Sequence, residues 1–261
     1  MSRGAYNNID SENNSESTAK ISRYYTVCPL RNSPMPSRFI ALIPAAGAGQ
    51  RAGSSVPKQY APINGQPMLL HTIAAFTACA TIEAVHVILS PQDNWPETFG
   101  GSGFQPKVQF HRAGGPTRAQ SVLNGLKAIE VDRADWILVH DAARPCITPT
   151  MIDTLIEALR DDAVGGLLAL PVPDSVKRAD TEGRASETIS REGLWLAQTP
   201  QMFRYGVLRD ALERFPDVTD EAGAIERAGL RPKLVRGDAR NIKVTYPADF
   251  AMAESYLGSG L

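Results

Sequence analysis

From Phe39 onward the chain alternates short apolar runs with longer stretches whose apolar residues recur every three to four positions, and this rhythm limits the available folds more than any other feature. Residues 39–44, 84–90, 107–111, 136–140 and 164–170 are short runs built on apolar residues, which predicts strands. Between them, residues 68–80 (Leu69, Leu70, Ile73, Phe76), 119–129 (Val122, Leu126, Ile129) and 150–159 (Met151, Leu155, Leu159) carry helical spacing. Strand and helix in alternation imply right-handed βαβ units and an α/β fold with a doubly wound, mostly parallel sheet. Runs such as Trp136-Ile137-Leu138-Val139 suit a sheet covered on both faces.

After Leu170 the rhythm breaks. Residues 175–178, 188–191 and 194–197 are strand-like around a turn-rich Ala179-Asp180-Thr181-Glu182-Gly183-Arg184, a hairpin pattern with too little apolar content to stand alone. Residues from about 171 to 203 therefore read as a β-arm protruding from the main sheet. Helices are expected again at 205–214, 221–228 and 247–257, with a strand near 242–245. Residues 1–36, rich in Asn and Ser, read as a disordered N-terminal tail, and residues 37–261 as one domain.

With Lys+Arg 27 against Asp+Glu 28, the net charge of −1 gives no electrostatic reason to bind nucleic acid or an anionic membrane. No apolar run is long enough to span a bilayer. The three cysteines, Cys28, Cys79 and Cys146, fit neither a disulfide framework nor a zinc site and point to a reducing, cytoplasmic setting.

The chemistry begins where the first strand ends, in Pro44-Ala45-Ala46-Gly47-Ala48-Gly49-Gln50-Arg51 and on to Pro57-Lys58. A glycine-rich turn at the carboxyl end of the first strand lets backbone N–H groups approach a di- or triphosphate. Gly47-x-Gly49-x-x-Ala52 also fits a permissive dinucleotide fingerprint, but that fold wants an acid about 20 residues on. No Asp or Glu occurs between Gly47 and Glu83, and Pro57 interrupts the helix that should follow. A Walker loop is excluded because no Gly-Lys-Ser/Thr triplet occurs. Arg51 and Lys58, two cations in an acid-free segment, suit charge developing on a transferring phosphoryl group. Asp141 ends an apolar strand at its carboxyl edge, where a ligand role is favoured over a structural one. The four histidines have no metal-ligand spacing, so no resident metal is expected. Thr219, ahead of Asp220 and Glu221, reads as a helix N-cap.

Taken in order, Pro44-Ala45-Ala46-Gly47-x-Gly49-x-Arg51, Pro57-Lys58-Gln59-Tyr60, His140-Asp141-Ala142-Ala143-Arg144-Pro145, Thr199-Pro200-Gln201, Thr219-Asp220-Glu221 and Asn241-Ile242-Lys243-Val244-Thr245 resemble the 2-C-methyl-D-erythritol 4-phosphate cytidylyltransferases of the non-mevalonate isoprenoid pathway. The resemblance covers residues 39–257. It implies a Rossmann-like nucleotidyltransferase fold whose β-arm builds a homodimer, and a reaction of CTP with methylerythritol phosphate, with Mg²⁺ arriving with CTP. Carried over by position, Ala45, Ala46, Gly47 and Gly49 would line the nucleotide, and Gly114, Arg118 and Ser121 would read the cytosine. Arg51 and Lys58 would stabilise the transition state. Asp141, Arg191, Thr199, Thr219 and Lys243 would hold the methylerythritol phosphate, Arg191 from across the dimer, with Arg144 a candidate for supporting them. Two other readings stand beside this one: a cytidylyltransferase for another polyol phosphate such as ribitol 5-phosphate, and a non-catalytic nucleotide-binding protein.

Overall fold

The computed structural model describes residues 37–47, 57–98, 104 and 106–258, all within the unit Ser37–Leu261. Residues 1–36, with the tail expected there, lie outside the described residues. The central sheet has seven strands: β1 (Phe39–Pro44), β4 (Ile82–Ile88), β5 (Val108–His111), β6 (Trp136–Val139), β7 (Gly165–Pro171), β10 (Trp195–Arg204) and β11 (Lys233–Arg236). Their order across the sheet is β11-β7-β10-β6-β1-β4-β5. All neighbours are parallel except β10, which runs antiparallel between β6 and β7. The doubly wound, mostly parallel sheet expected from the sequence is therefore present. Two-residue strands β2 (Pro62–Ile63) and β3 (Gln66–Pro67) close over Asn64-Gly65, whose φ values of 48° and 79° are those a two-residue hairpin needs.

Side-chain alternation along the strands feeds two apolar layers. On one face, Ala41, Ile43, Val85, Val87 and Leu138 pack against Leu69 and Phe76 of α1 (Met68–Ala78) and, beyond the short α2 (Trp95–Thr98), against Ile152 and Leu155 of α4 (Pro149–Leu159). On the other, Ile40, Leu42, Ile137 and Val139 meet Val122 and Leu126 of α3 (Arg118–Ala128), Leu208 and Leu212 of α5 (Tyr205–Arg214) and Ile225 of α6 (Glu221–Arg227). A third cluster, Ile63, Met68, Cys146, Val244 and Ala253, fastens α7 (Pro247–Gly258) over the β2–β3 turn.

Two expectations change. The separate two-stranded hairpin is only β8 (Val176–Ala179) with β9 (Ala185–Ile189), whereas residues 195–204 form a strand of the central sheet. Pro200 is tolerated there because it falls where the β7–β10 register shifts, between Ala197 and Gln201. Residues 242–245 form no strand. Their apolar alternation instead turns Val244 into the third cluster while its N–H donates to the Ala143 carbonyl at 2.8 Å, and the edge position is taken by β11.

Strand order reverses at β1: the chain leaves it for β4 and β5 on one side and returns to β6 on the other. In open α/β sheets the crevice at such a switch point, beyond the carboxyl ends of the strands, is where ligands bind. The opposite end is locked by Asp135, 3% exposed. Its carboxylate accepts the Arg38 backbone N–H (3.0 Å), the Arg38 Nε–H (3.0 Å) and Nη2–H (2.6 Å), and the Asp132 N–H (2.8 Å). Replacing it strips four donors of their acceptor. Asp135→Ala is expected to lower unfolding free energy by about 2 kcal/mol or more in urea titrations, and a loss below about 0.5 kcal/mol would show that the lock is dispensable.

Candidate active site

A cleft of about 480 Å³ opens at that switch point, lined by Pro44, Ala45, Ala46 and Gly47 from the end of β1, Lys58, Gln59, Met68, residues 115–118 with Ser121, Asp141 to Ala143, and Lys243. Of the residues singled out from the sequence, it brings together Ala45, Ala46, Gly47, Lys58, Arg118, Ser121, Asp141 and Lys243. Gly49 and Arg51 lie outside the described residues.

The wall beside the end of β1 is shaped by close backbone contacts. Ala45 N–H donates to the Ile88 carbonyl and Gly114 N–H to the Leu89 carbonyl, both at 2.8 Å. A Cβ on Gly114 would fall 2.3 Å from the Ala46 Cβ and 2.7 Å from the Leu89 oxygen, so only glycine lets the two segments approach. Ser121 is 3% exposed, and its hydroxyl accepts the Gly115 N–H (3.0 Å) while donating to the Thr117 carbonyl (2.9 Å). Its observed work is to hold the 114–115 turn against α3. Thr117 caps that helix, accepting from the Gln120 N–H.

The floor is a chain of alternating charges. Lys243 Nζ stands 2.8 Å from Asp141 Oδ2; Arg118 Nε donates to Asp141 Oδ1 (2.7 Å); and Arg118 Nη1 and Nη2 fork onto the Glu221 carboxylate at 2.7 and 3.0 Å. Asp141 is 7% and Glu221 0% exposed. Burial pushes the Asp141 carboxyl upward, but Arg118 and Lys243 outweigh it and hold the group well below the usual carboxylate range. Lys58 Nζ donates to the Val244 carbonyl at 2.6 Å, tying the first-strand loop to the segment that carries Lys243.

Behind the floor, Asp141 N–H donates to the Thr199 hydroxyl (3.1 Å), which pairs with His140 Nδ1 (3.0 Å), while His140 Nε2 meets the Arg144 carbonyl (3.1 Å). These contacts assign the ring: Nε2 carries the proton and Nδ1 accepts from Thr199. Asn241 Nδ2 donates to the Thr199 carbonyl (2.8 Å), and Arg144 Nη1 to the Asn241 carbonyl (2.7 Å). Thr199 is 4% exposed and acts here as a buried strut. Thr219 is exposed just ahead of α6 and is not its cap. Asp220 fills that role, accepting the Gly223 N–H, because its shorter reach from the preceding residue meets the third helical amide. Arg191 is exposed on the turn after β9, away from the cleft lining, and donates to the Pro173 carbonyl.

Sequence reasoning missed Glu221 and Gln201. Gln201, 1% exposed on β10, grips the start of α6: its Nε2 donates to Asp220 Oδ2 (2.9 Å) and its Oε1 accepts the Ala222 N–H (2.7 Å). The available signal was Glu221 adjoining Ala222, Ala224 and Ile225, the inward side of a short helix. Among the described residues no cluster of three or more His, Cys, Asp or Glu could hold a metal.

The family model described as IspD, 2-C-methyl-D-erythritol 4-phosphate cytidylyltransferase, matches residues 39–259. The enzyme so named from Dechloromonas aromatica is 55% identical over 222 residues, covering 84% of this chain and 97% of that one. Its namesake from Chromobacterium violaceum is 53% identical over 223 residues, covering 85% and 98%. Among solved structures, a 4-diphosphocytidyl-2C-methyl-D-erythritol synthase superposes with a TM-score of 0.76 at 39% identity, over 85% of this chain and all of that one. The Thermus thermophilus 2-C-methyl-D-erythritol 4-phosphate cytidylyltransferase gives 0.66 at 31%, over 85% and 98%.

The buried His140 carries a pH prediction. Burial lowers its pKa from 6.5 to about 4, and His86, buried against His111, is likewise lowered to about 4. The unfolded chain protonates these rings near pH 6.5 while the folded one does not, so their stability contribution is complete above 6.5 and lost as pH falls toward 4. Each should remove about 1 kcal/mol per pH unit in that window, with Asp141 adding to the loss below about pH 4. Urea melts across this range should show the fall, shallower in His140→Gln. A flat profile from pH 7 to 5 would contradict it.

Proposed function

The chain belongs to the 2-C-methyl-D-erythritol 4-phosphate cytidylyltransferase family, and from that membership we propose the working parts of a cleft that transfers a cytidylyl group from CTP to 2-C-methyl-D-erythritol 4-phosphate, giving 4-diphosphocytidyl-2-C-methyl-D-erythritol and pyrophosphate in isoprenoid precursor biosynthesis. The observation that carries the assignment of roles is the switch-point cleft itself, with Lys58, Arg118 and Lys243 on its lining and Asp141 the single acidic side chain among the described lining residues. Two polyanions have to meet there, and the cations supply the compensation.

No general base is needed. A phosphate monoester has its second pKa near ~6 and is largely dianionic at pH 7. An oxygen of the methylerythritol phosphate attacks the α-phosphorus of CTP, a new P–O bond forms, and the bond to the β-phosphate breaks with its electron pair leaving on pyrophosphate. What the protein contributes is alignment and charge stabilisation. In this reading Ala45, Ala46, Gly47 and Gly49 cradle the triphosphate, and Arg51 and Lys58 stabilise charge gathering on the reacting phosphates. Gly114 and Ser121 shape the cytosine wall with Arg118 behind it. Lys243, Thr199, Thr219 and Asp141 take the methylerythritol phosphate side. Mg²⁺ brought with CTP would neutralise triphosphate charge, and Asp141, the acidic side chain on the described lining, would be the carboxylate available to help hold it.

Arg191 has no part in its own cleft, and the hairpin that leads to it is two-stranded, a unit marginal in water without a surface to lie on. A homodimer in which each hairpin crosses to the partner explains both facts. Leu194, Trp195 and Leu196, exposed at the root of the hairpin, suit such a contact. The free thiols Cys79 and Cys146 accord with a cytoplasmic enzyme, and no described helix is long and apolar enough to cross a membrane.

Pyrophosphate release with CTP and Mg²⁺ should depend on methylerythritol phosphate and be far slower with ribitol 5-phosphate, and the reverse preference would overturn the assignment. Lys58→Ala should lower kcat by about 10²-fold with little change in melting temperature; a raised KM at unchanged kcat would reduce Lys58 to ground-state binding. Mixing Arg191→Ala with Lys58→Ala subunits tests the dimer: a shared site puts both lesions in one cleft of the heterodimer, so activity returns to about half of wild type per heterodimer. No recovery despite exchange would confine Arg191 to its own subunit.

A further inference from the structure

Glu221, fully buried beneath the cleft and absent from its lining, has no assigned role in the reaction. It is 0% exposed and spends both carboxylate oxygens on the two Nη groups of Arg118. A buried carboxylate at that depth costs several kcal/mol of desolvation, and a pair of this kind is no better for stability than well-packed apolar side chains. Its position is nevertheless enforced from outside by Gln201, which bonds both the Asp220 cap and the Ala222 amide on either side of it.

The consequence lies on the far side of the guanidinium. With both Nη groups held by Glu221, Arg118 presents only Nε to Asp141, which uses a single oxygen, Oδ1, to receive it. Oδ2 is thereby left for Lys243 at 2.8 Å. Without Glu221, the two Nη groups lose their acceptor, and Asp141, already bonded to Nε of the same guanidinium, is a carboxylate within its reach. A guanidinium fork turned onto Asp141 occupies both of its oxygens, as bidentate pairs do. Lys243 then has no partner to set its ammonium.

We infer that Glu221 is a positioning residue of the proposed reaction: by engaging the fork of Arg118 it keeps one oxygen of Asp141 for Lys243 and so fixes the ammonium that meets the incoming phosphate. This rests on the cytidylyl transfer proposed above for the role of Lys243, while the contact pattern stands on its own. Glu221 does not touch either substrate. It acts through Arg118 and Asp141, and it links the nucleotide wall, where Arg118 opens α3, to the segment carrying Lys243.

The test uses Glu221→Gln, which keeps the shape but can accept through one oxygen only, and Glu221→Asp, which keeps the charge but is too short to span both Nη groups and guards against a Gln variant that fails to fold. Lys243 is 46% exposed and open to an amine-directed reagent. In substrate-free enzyme, mass-spectrometric labelling of Lys243 should be about three- to fivefold faster in both variants than in wild type, because an amine no longer held in the contact with Asp141 is freer to meet the reagent. With substrates, the KM for methylerythritol phosphate should rise about tenfold while that for CTP changes less than about twofold. An unchanged labelling rate overturns the inference, as does an equal rise in both KM values. Wild-type enzyme that ignores methylerythritol phosphate would sink the proposed reaction instead, and the labelling rates would still decide what Glu221 does for Lys243.

Discussion

A carboxylate removed from water must be compensated, and the interior of this protein is arranged around that requirement at Asp141. Four distant parts of the chain meet there: Asp141 follows β6, Arg118 at the first residue of α3 and Lys243 in the segment before α7 compensate it, and Glu221 at the first residue of α6 takes the rest of the Arg118 guanidinium. Each is aimed by a hydrogen bond from elsewhere. Thr199 holds the Asp141 amide, Gln201 holds the start of α6, Asn241 ties the Lys243 segment to β10 and Lys58 bonds it through the Val244 carbonyl. The cost of burying these charges is offset only when all partners are in place, so the cleft and the second half of the fold stabilise each other.

The wall formed by residues 45–47 and Gly114 obeys a different constraint, that of room. Gly114 touches Ala46 so closely that no side chain fits between them, and small residues at 45–47 leave backbone rather than side chains at the surface. One wall of the cleft offers close approach to backbone and the floor offers charge, features suited to seating a nucleotide beside a second anion.

Much of this was legible in the sequence, and what was not has physical reasons. β1 begins and ends where its apolar run does, because a central parallel strand buried on both faces leaves no ambiguity. β10 was read as arm because its apolar residues, Trp195-Leu196-Ala197 and Met202-Phe203, are parted by Gln198-Thr199-Pro200-Gln201, whose burial is a tertiary fact that composition does not show. Residues 242–245 alternate as a strand should, yet the alternation serves packing under α7 and no ladder forms. Within the site, Lys58, Asp141 and Lys243 were recognisable because charge beside a glycine-rich turn or at a strand end has few structural uses. Glu221 was not, because an acid in the first turn of a helix is what the helix dipole alone would favour. Its burial is a tertiary fact, created by β10 and α3 folding over it.

The antiparallel β10 has a bearing on how the protein comes into being on the ribosome. By residue 139 the strands β5, β4, β1 and β6 have all emerged and can assemble, but the free edge of β6, with four consecutive buried residues, stays without its neighbour until residues 201–204 follow. During that interval of some sixty residues, several seconds of synthesis at the usual ~5–20 residues per second, the nascent chain displays an apolar strand edge of the kind that recruits other strands. The late strand thus acts as a closing seam, and any shortened product ending before it carries an adhesive edge rather than half a working enzyme.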